Sequence, residues 1–373
     1  MTEERPFVDP GGQIGFWRRE YLEDFLRAGG AAVKWLTGRA GAGKTQCLCR
    51  VREEARTLGY LTAEVSARRV AIGRIDELYR ALMAQLPLRE VGRDLALAAA
   101  RRAGAEGFAA DGGQDLEDAL VASGRPREAA VQEVRTACDF LFAEPNIAPP
   151  MAVALRLLAL GCLRPAEAAE GAASAERFLR GERIMAAERH AVGITMRLDR
   201  YSAREMLRSF LYALRLSGIP GLVVTLDDLE QLLEKERRED AVHYTKMRRD
   251  DTYEAIRELI DEGGTLPGLF LVIAGRPEAL RDERFGVESY AALAMRVARE
   301  VRSTRINPYD DLIDLDEIWQ SDWPTHRAAL ARAYGAEEPR EREREFLLAA
   351  SPLSPLRLFL RAIGCEGGEA LGA

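Results

Sequence analysis

Apolar runs of strand length recur near both ends of the chain. Residues 31–37 and 59–66 lie close to the N-terminus, and residues 221–228 and 268–275 lie far downstream. The two later runs are bounded by glycine or acidic residues and are apolar along most of their length, which is typical of strands covered by helices on both faces. A helical pattern over about 44–58 joins the first two runs. Together these patterns predict an α/β domain built on a parallel sheet.

The middle of the chain, residues 71–215, carries almost no strand pattern. It is rich in alanine, leucine, arginine and glutamate, and it predicts a large helical insertion between the two halves of the sheet. The simplest interpretation is a helical subdomain that packs on the sheet or on a neighbouring molecule, with a dedicated ligand site less favoured. Helices are predicted near residues 73–86, 115–122, 127–142, 151–160, 164–181 and 202–217.

Helical patterns also occupy the remaining stretches. An amphipathic helix is predicted from residue 16 to residue 26, and a charged helix over about 229–262 with a break near 235–251. Helical pieces are predicted in the last part at 314–319, 324–334, 339–350 and 353–363, followed by a frayed end at 364–373. The predicted domains are 1–70 and 216–312 for the two parts of the α/β core, 71–215 for the insertion and 313–373 for a small helical C-terminal subdomain.

The most specific motif follows the first apolar run. Residues 38–45 match the pattern G-x-x-x-x-G-K-[ST] in full, with a predicted strand before them and a predicted helix after them. Glycines let the backbone fold around a phosphate and expose its N–H groups, and the positive end of the next helix favours an anion. Lys44 is predicted to bridge the β- and γ-phosphates of ATP, and Thr45 to bind Mg²⁺. The predicted nucleotide-binding residues of this segment are Gly38, Arg39, Ala40, Gly41, Ala42, Gly43, Lys44, Thr45 and Gln46.

The third apolar run ends in two carboxylates, Asp227 and Asp228. A buried strand that ends in acidic residues places them at the carboxyl edge of the sheet, where α/β proteins bind ligands. Asp227 is predicted to hold Mg²⁺ and Asp228 to polarise the attacking water, although many ATPases carry the longer glutamate at that place. Glu230 is a second candidate, expected one turn further on and directed away. An ordinary acidic helix N-terminus would also explain the aspartates, but the phosphate loop favours a catalytic pair.

Arginine residues supply the remaining candidates. Arg276 follows the fourth apolar run, where ring ATPases carry a polar sensor, and it is predicted to contact phosphate in its own chain or to reach a neighbouring subunit as an arginine finger. A surface arginine that caps the sheet is the alternative. Arg357, near the start of a predicted helix, is a candidate second sensor of the γ-phosphate. The arginines that compete for the finger role, with no pattern to choose among them, are Arg281, Arg284 and Arg296.

Composition narrows the class of protein further. Lys and Arg number 53 against 60 Asp and Glu, so the net charge is −7. This balance argues against a protein that coats polyanions along its whole surface, but it leaves a local basic patch open. The 5 cysteines lack a paired spacing, which fits a reduced cytosol, and no apolar run reaches the length of a membrane span. The first six residues lack the apolar segment of a secretory signal. A cytoplasmic protein without membrane contact is therefore expected.

Several segments beyond the phosphate loop resemble a known family. The chain is similar to the P-loop ATP-binding proteins of bacterial anti-phage clusters, notably the BREX-system BrxD-like proteins of the broad AAA+ and origin-recognition-like group. Asp228 and Arg276 depart from the family pattern, where glutamate and threonine are common. The segments that carry the resemblance are the N-terminal helix and residues 38–45, 200–206, 218–230, 253–261, 274–277 and 289–296.

This resemblance implies an AAA+-like P-loop ATPase that uses ATP and Mg²⁺, forms a homo-oligomer and acts near DNA or with a partner helicase, nuclease or other defence protein. A second hypothesis is a nucleotide-gated interaction module with little hydrolysis, which Asp228 and the long insertion favour. A small-molecule or nucleoside kinase is less favoured, because no acceptor-site pattern accompanies the phosphate loop.

Overall fold

A sheet of parallel strands forms the centre of the molecule. The structure, a computed structural model, describes residues 6–110, 115–297, 306–336 and 352–363. These residues form one five-stranded sheet in which each strand runs parallel to its neighbours, in the order β2-β3-β4-β1-β5. The α/β architecture predicted from the apolar runs is confirmed. The strands are β1 (Ala32–Thr37), β2 (Leu61–Ser66), β3 (Leu222–Asp227), β4 (Leu269–Gly275) and β5 (Leu312–Asp314).

The sheet divides the hydrophobic core into two layers. Strand β4 is buried at each of its positions, and its side chains alternate between the layers with the period of two that a pleated strand imposes. One layer receives Leu269, Leu271 and Ile273 together with the helices of the insertion. The other receives Phe270, Val272 and Ala274 together with helix Lys44–Thr57 and the C-terminal helices. Burial on both faces explains why β3 and β4 are almost continuous apolar runs.

The described residues between β2 and β3 form helices joined by turns and contain no strand, as predicted. Helix Leu88–Arg102 was not predicted, because its alanines and arginines show little periodic contrast and Gly92 interrupts it. Gly92 lets a neighbouring helix pack closely, since a Cβ there would lie 2.9 Å from the Cβ of Leu158 on that helix. The helices of the insertion are Ile75–Met83, Leu88–Arg102, Leu116–Ala122, Arg127–Thr136, Phe140–Ala143, Pro149–Leu163, Pro165–Leu179, Ala186–Ala191 and Ala203–Ser217.

The charged stretch after β3 is not one helix with a break. It forms the 3₁₀ helix Leu229–Leu233, an irregular segment and then helix Lys246–Asp261, which the side chain of Thr245 caps. At the N-terminus, the short α-helix Gln13–Trp17 continues as a π-helix, Arg18–Phe25. The remaining helices are the 3₁₀ turns Pro10–Gly12, Gly263–Thr265 and Val287–Ser289 and the α-helices Lys44–Thr57, Pro277–Arg281, Ala291–Val297, Leu315–Ser321, Trp323–Ala333 and Pro355–Ala362.

Strand β5 corrects the prediction that the chain is helical from residue 313. It has three residues and pairs with β1 through Trp35 and Leu312, so it extends the sheet by one edge strand. A strand this short leaves no periodic pattern in the sequence, and only the neighbouring strand β1 determines its conformation. The helical piece predicted at 339–350 and the frayed end predicted at 364–373 lie outside the described residues. Among the described helices, none has the length and apolar character required to cross a bilayer.

A contact between two glycines sets how closely β3 and β4 approach. A Cβ on Gly221 would lie 2.1 Å from the carbonyl oxygen of Gly268. We therefore expect Gly221→Ala to lower the free energy of unfolding by about 2 kcal/mol, because backbone atoms must move to relieve the overlap. Gly263→Ala is the matched control: a Cβ there meets no atom within 4 Å, so its effect should stay within about 0.5 kcal/mol. Equal urea midpoints for the two variants would contradict this packing.

Candidate nucleotide-binding site

The order of the strands brings distant parts of the chain to one edge of the sheet. Strand β4 lies between β1 and β3, so residues that follow these three strands meet above their carboxyl ends. A cleft of about 700 Å³ opens there. The candidate residues that line it are Ala40, Gly41, Ala42, Gly43, Lys44, Thr45, Gln46, Asp227, Asp228, Arg276 and Arg357.

The phosphate loop, residues 38–45, has the backbone of an anion cradle. Gly41 and Gly43 adopt φ values of +81° and +92°, which side-chain-bearing residues rarely adopt. Gly43 is also the N-cap of the 14-residue helix Lys44–Thr57, and no side chain caps that end. The first N–H groups of the helix therefore lack intrahelical partners. They lie at the cleft, together with the positive pole of the helix dipole. This arrangement fits a phosphate group.

Lys44 supplies a cation within reach of the same loop. Its ammonium donates hydrogen bonds to the carbonyl oxygens of Gly38, at 2.6 Å, and of Arg39, at 3.3 Å. Burial lowers the pKa of Lys44, and the negative charges of Glu230 and Asp227 oppose that shift. A phosphate anion in the cleft would favour the charged lysine in the same way, because it adds negative charge beside the ammonium.

Thr45 and Asp227 meet across 182 residues of sequence. The hydroxyl of Thr45 donates a hydrogen bond to Oδ2 of Asp227 at 2.8 Å, and the N–H of Asp228 donates to Oδ1 at 2.8 Å. Burial raises the pKa of Asp227, and these two hydrogen bonds oppose the rise. A hydroxyl and a carboxylate side by side at the phosphate loop are the oxygen donors that Mg²⁺ prefers. The residues present therefore fit a magnesium ion at this position.

Asp228 has a separate partner. It is the non-glycine residue with positive φ among the described residues, at +62°, and its Oδ2 accepts a hydrogen bond from the hydroxyl of Ser66. Ser66 ends β2, the strand next to β3. Strained backbone of this kind clusters at functional sites. Ser66, Arg68 and Arg69 also line the cleft, but the sequence analysis missed them because the order of β2 and β3 in the sheet was unknown.

Glu230 lines the cleft, contrary to the prediction that it is directed away. The left-handed backbone of Asp228 turns the chain, and the following residues form a 3₁₀ helix, so Glu230 does not follow an α-helical turn from Asp227. Its carboxylate accepts a hydrogen bond from the N–H of Arg276 at 3.1 Å and forms an ion pair with Nε of the same residue at 3.1 Å. Arg276 thus stands beside the phosphate loop, on the strand end where the sequence analysis placed it.

The competing arginines are engaged elsewhere in the described structure. Arg281 forms an ion pair with Asp314, Arg296 with Asp261, and the guanidinium of Arg284 lies 4.9 Å from the ring centre of Phe285. These three arginines do not line the cleft. Arg276 is therefore the arginine of this group that lines the cleft.

The C-terminal helix Pro355–Ala362 covers one side of the phosphate loop. A Cβ on Gly41 would lie 2.3 Å from Cδ of Arg357, so glycine is needed there for space as well as for its φ value. The N–H of Ser354 donates to the carbonyl of Ala40 at 3.1 Å, and the Ser354 hydroxyl accepts from the N–H of Arg357 at 3.2 Å. These contacts hold Arg357 against the loop, where it was predicted to act.

The helix Leu315–Ser321 holds the other side of the loop. The carboxylate of Asp316 accepts hydrogen bonds from the N–H of Arg39 at 2.8 Å and from its Nε at 3.1 Å. The indole N–H of Trp319 donates to the carbonyl of Ala42 at 3.0 Å. The sequence analysis did not find Asp316 or Trp319, because nothing in the local sequence links them to a loop that lies 277 residues earlier.

Comparison with known proteins identifies the family of this chain. No curated protein and no solved structure matches the chain. The family model of the BREX system ATP-binding protein BrxC/D matches residues 20–347, a span that contains the phosphate loop, Asp227 and Arg276. This match confirms the resemblance noted in the sequence and supports an ATP-binding role in phage defence. The chain belongs to the BREX system ATP-binding protein BrxC/D family.

Proposed function

We propose that this chain is a magnesium-dependent ATPase of AAA+-like architecture. The observation that carries the proposal is the contact between Thr45 and Asp227, which places two oxygen donors for Mg²⁺ directly at a loop that fits phosphate. The five-stranded parallel sheet, the helical insertion after β2 and the helices that follow β5 support this architecture. Nucleotide state would drive assembly of a homo-oligomer on DNA, or with a partner helicase or nuclease, as part of phage defence.

Each candidate residue has a defined task in this reaction. When bound, magnesium and ATP would supply a polarised γ-phosphoryl group for transfer to water. The N–H groups of the phosphate loop and the ammonium of Lys44 would neutralise the charge on the phosphate oxygens. Thr45 and Asp227 would hold the ion, and Asp228 would orient the water. Arg276 and Arg357 line the cleft and would add positive charge near the transferred group.

Turnover of ATP tests this proposal directly. Lys44→Ala and Asp227→Ala should each lower turnover by about 100-fold or more, because each removes charge stabilisation that the transition state needs. Lys246→Ala is a matched control, because this exposed lysine begins a helix outside the cleft. Phosphate release with and without duplex DNA, beside light scattering with and without ATP, would measure the effect. Wild-type turnover no higher than that of the two variants would end the enzyme proposal.

The raised pKa of Asp227 can be tested by unfolding experiments that need no nucleotide. Because burial raises its pKa above the usual 3.8, its stabilising contribution is complete at low pH and is lost as pH rises through the raised pKa. Asp227→Asn keeps the shape and cannot ionise. The variant should therefore unfold at a higher temperature than the wild type near about pH 7.5, and the gain should shrink toward about pH 4. A gain that did not change with pH would contradict the raised pKa.

A nucleotide-gated interaction module is the second candidate. The observation that favours it is the contact between Asp228 and Ser66, which engages the shorter carboxylate with β2 instead of leaving it free for water. In such a protein ATP would order an interface, and hydrolysis would be rare.

A longer side chain at position 228 distinguishes the ATPase from the nucleotide-gated module. If the chain is a nucleotide-gated module, Asp228→Glu should hydrolyse ATP about tenfold faster or more than the wild type, because the added methylene brings the carboxylate to the water. Assembly should stay ATP-dependent in this variant. Asp228→Asn serves as the control that keeps the length and removes the charge. If Asp228→Glu were no faster than the wild type, and the wild type turned over ATP well above the Lys44→Ala background, the ATPase description would stand.

A further inference from the structure

The contact between Glu230 and Arg276 has an unusual form. One carboxylate contacts both the main chain and the side chain of the same arginine: Oε2 accepts a hydrogen bond from the N–H, and Oε1 forms an ion pair with Nε, at 3.1 Å each. Glu230 follows β3 and Arg276 follows β4, which are adjacent parallel strands. The pair therefore joins the acidic end of β3 to the end of β4 at the floor of the cleft.

This contact determines which atoms of Arg276 remain for a ligand. Oε1 of Glu230 pairs with Nε, and no hydrogen bond joins either terminal nitrogen of the guanidinium to another described residue. The Arg276 side chain is 46% exposed and lines the cleft beside Lys44. A guanidinium that is fixed at Nε presents its two outer nitrogens as a planar fork, which is the geometry that binds two phosphate oxygens.

Glu230 also belongs to the electrostatic environment of the phosphate loop. After burial, its negative charge is the strongest influence on the pKa of Lys44, ahead of Asp227, and Arg276 acts on the same pKa in the opposite direction. Lys44, Glu230 and Arg276 are thus one charged group around the loop. The ion pair at Nε holds the Arg276 side chain against its own chain, and this restricts how far the guanidinium can reach toward another molecule.

We propose that Glu230 is the positioning residue of Arg276, and that Arg276 contacts the γ-phosphate of the nucleotide bound to its own chain rather than to a neighbouring subunit. This inference rests on the proposed nucleotide site. It assigns to Glu230 a role in orienting a cation, and it leaves the orientation of water to Asp228.

Discrimination between a triphosphate and a diphosphate tests the positioning role. The ratio of the dissociation constants of ADP and ATPγS should fall about tenfold in Arg276→Ala, since a charge-assisted contact to the γ-phosphate is lost. Glu230→Ala should show the same loss, and the double variant should lose no more, because the two residues act as one unit. Glu230→Gln, which keeps one acceptor oxygen, should fall between Glu230→Ala and the wild type. Arg284→Ala, outside the cleft, is the control and should keep the wild-type ratio.

A mixing experiment tests whether Arg276 acts within its own chain. Arg276→Ala keeps an intact Lys44, and Lys44→Ala keeps an intact Arg276. If Arg276 served a neighbouring subunit, an equimolar mixture would restore turnover at interfaces that combine the two intact residues. We expect no turnover above the sum of the separate variants. Recovered activity in the mixture would overturn the assignment to the same chain.

The outcomes separate this inference from the proposal on which it depends. Wild-type protein that bound neither nucleotide would overturn the proposed function and the inference with it. Wild-type protein that prefers ATPγS, together with a Glu230→Ala variant of unchanged preference, would overturn the inference alone. Thermal unfolding of every variant identifies loss of fold, and if Glu230→Ala does not fold, the intermediate ratio expected for Glu230→Gln decides the question.

Discussion

The hydrogen bond between Thr45 and Asp227 is the contact on which the rest of the site depends. It exists because β1 and β3 run parallel on either side of β4, so that the residues following each strand meet at the same edge. The helical insertion lies between β2 and β3 and contributes to the core on one face of the sheet. Long-range convergence of this kind needs the whole sheet, and neither residue has a functional partner nearby in sequence.

The phosphate loop is held from two sides by elements that follow β5. Asp316 binds the backbone and side chain of Arg39, Trp319 binds the carbonyl of Ala42, and Ser354 binds the carbonyl of Ala40. These bonds fix the backbone of the loop at Arg39, Ala40 and Ala42. Arg357 also fills the space above Gly41. The structure thus links the phosphate loop to the part of the chain that follows β5.

The acidic residue that ends β3 and the two that follow it closely, Asp228 and Glu230, have different partners. Asp227 contacts Thr45 on the phosphate loop, Asp228 contacts Ser66 on β2, and Glu230 contacts Arg276 after β4. The left-handed backbone of Asp228 makes this division, since it sends consecutive carboxylates in different directions. A regular helix would have placed Asp227 and Glu230 on one face. The strained backbone of Asp228 therefore lets the three carboxylates contact three different elements.

The strands β1 to β4, the phosphate loop and the acidic end of β3 could be predicted from the sequence, because each has a local signature: a continuous apolar run, a glycine pattern or a charged residue that ends a buried strand. Strand β5, helix Leu88–Arg102 and the partners Ser66, Asp316 and Trp319 had no such signature. Their roles follow from packing between segments far apart in the chain. The side-chain period of a strand or helix is a local property, whereas the neighbour that a side chain meets is decided only when the sheet has assembled.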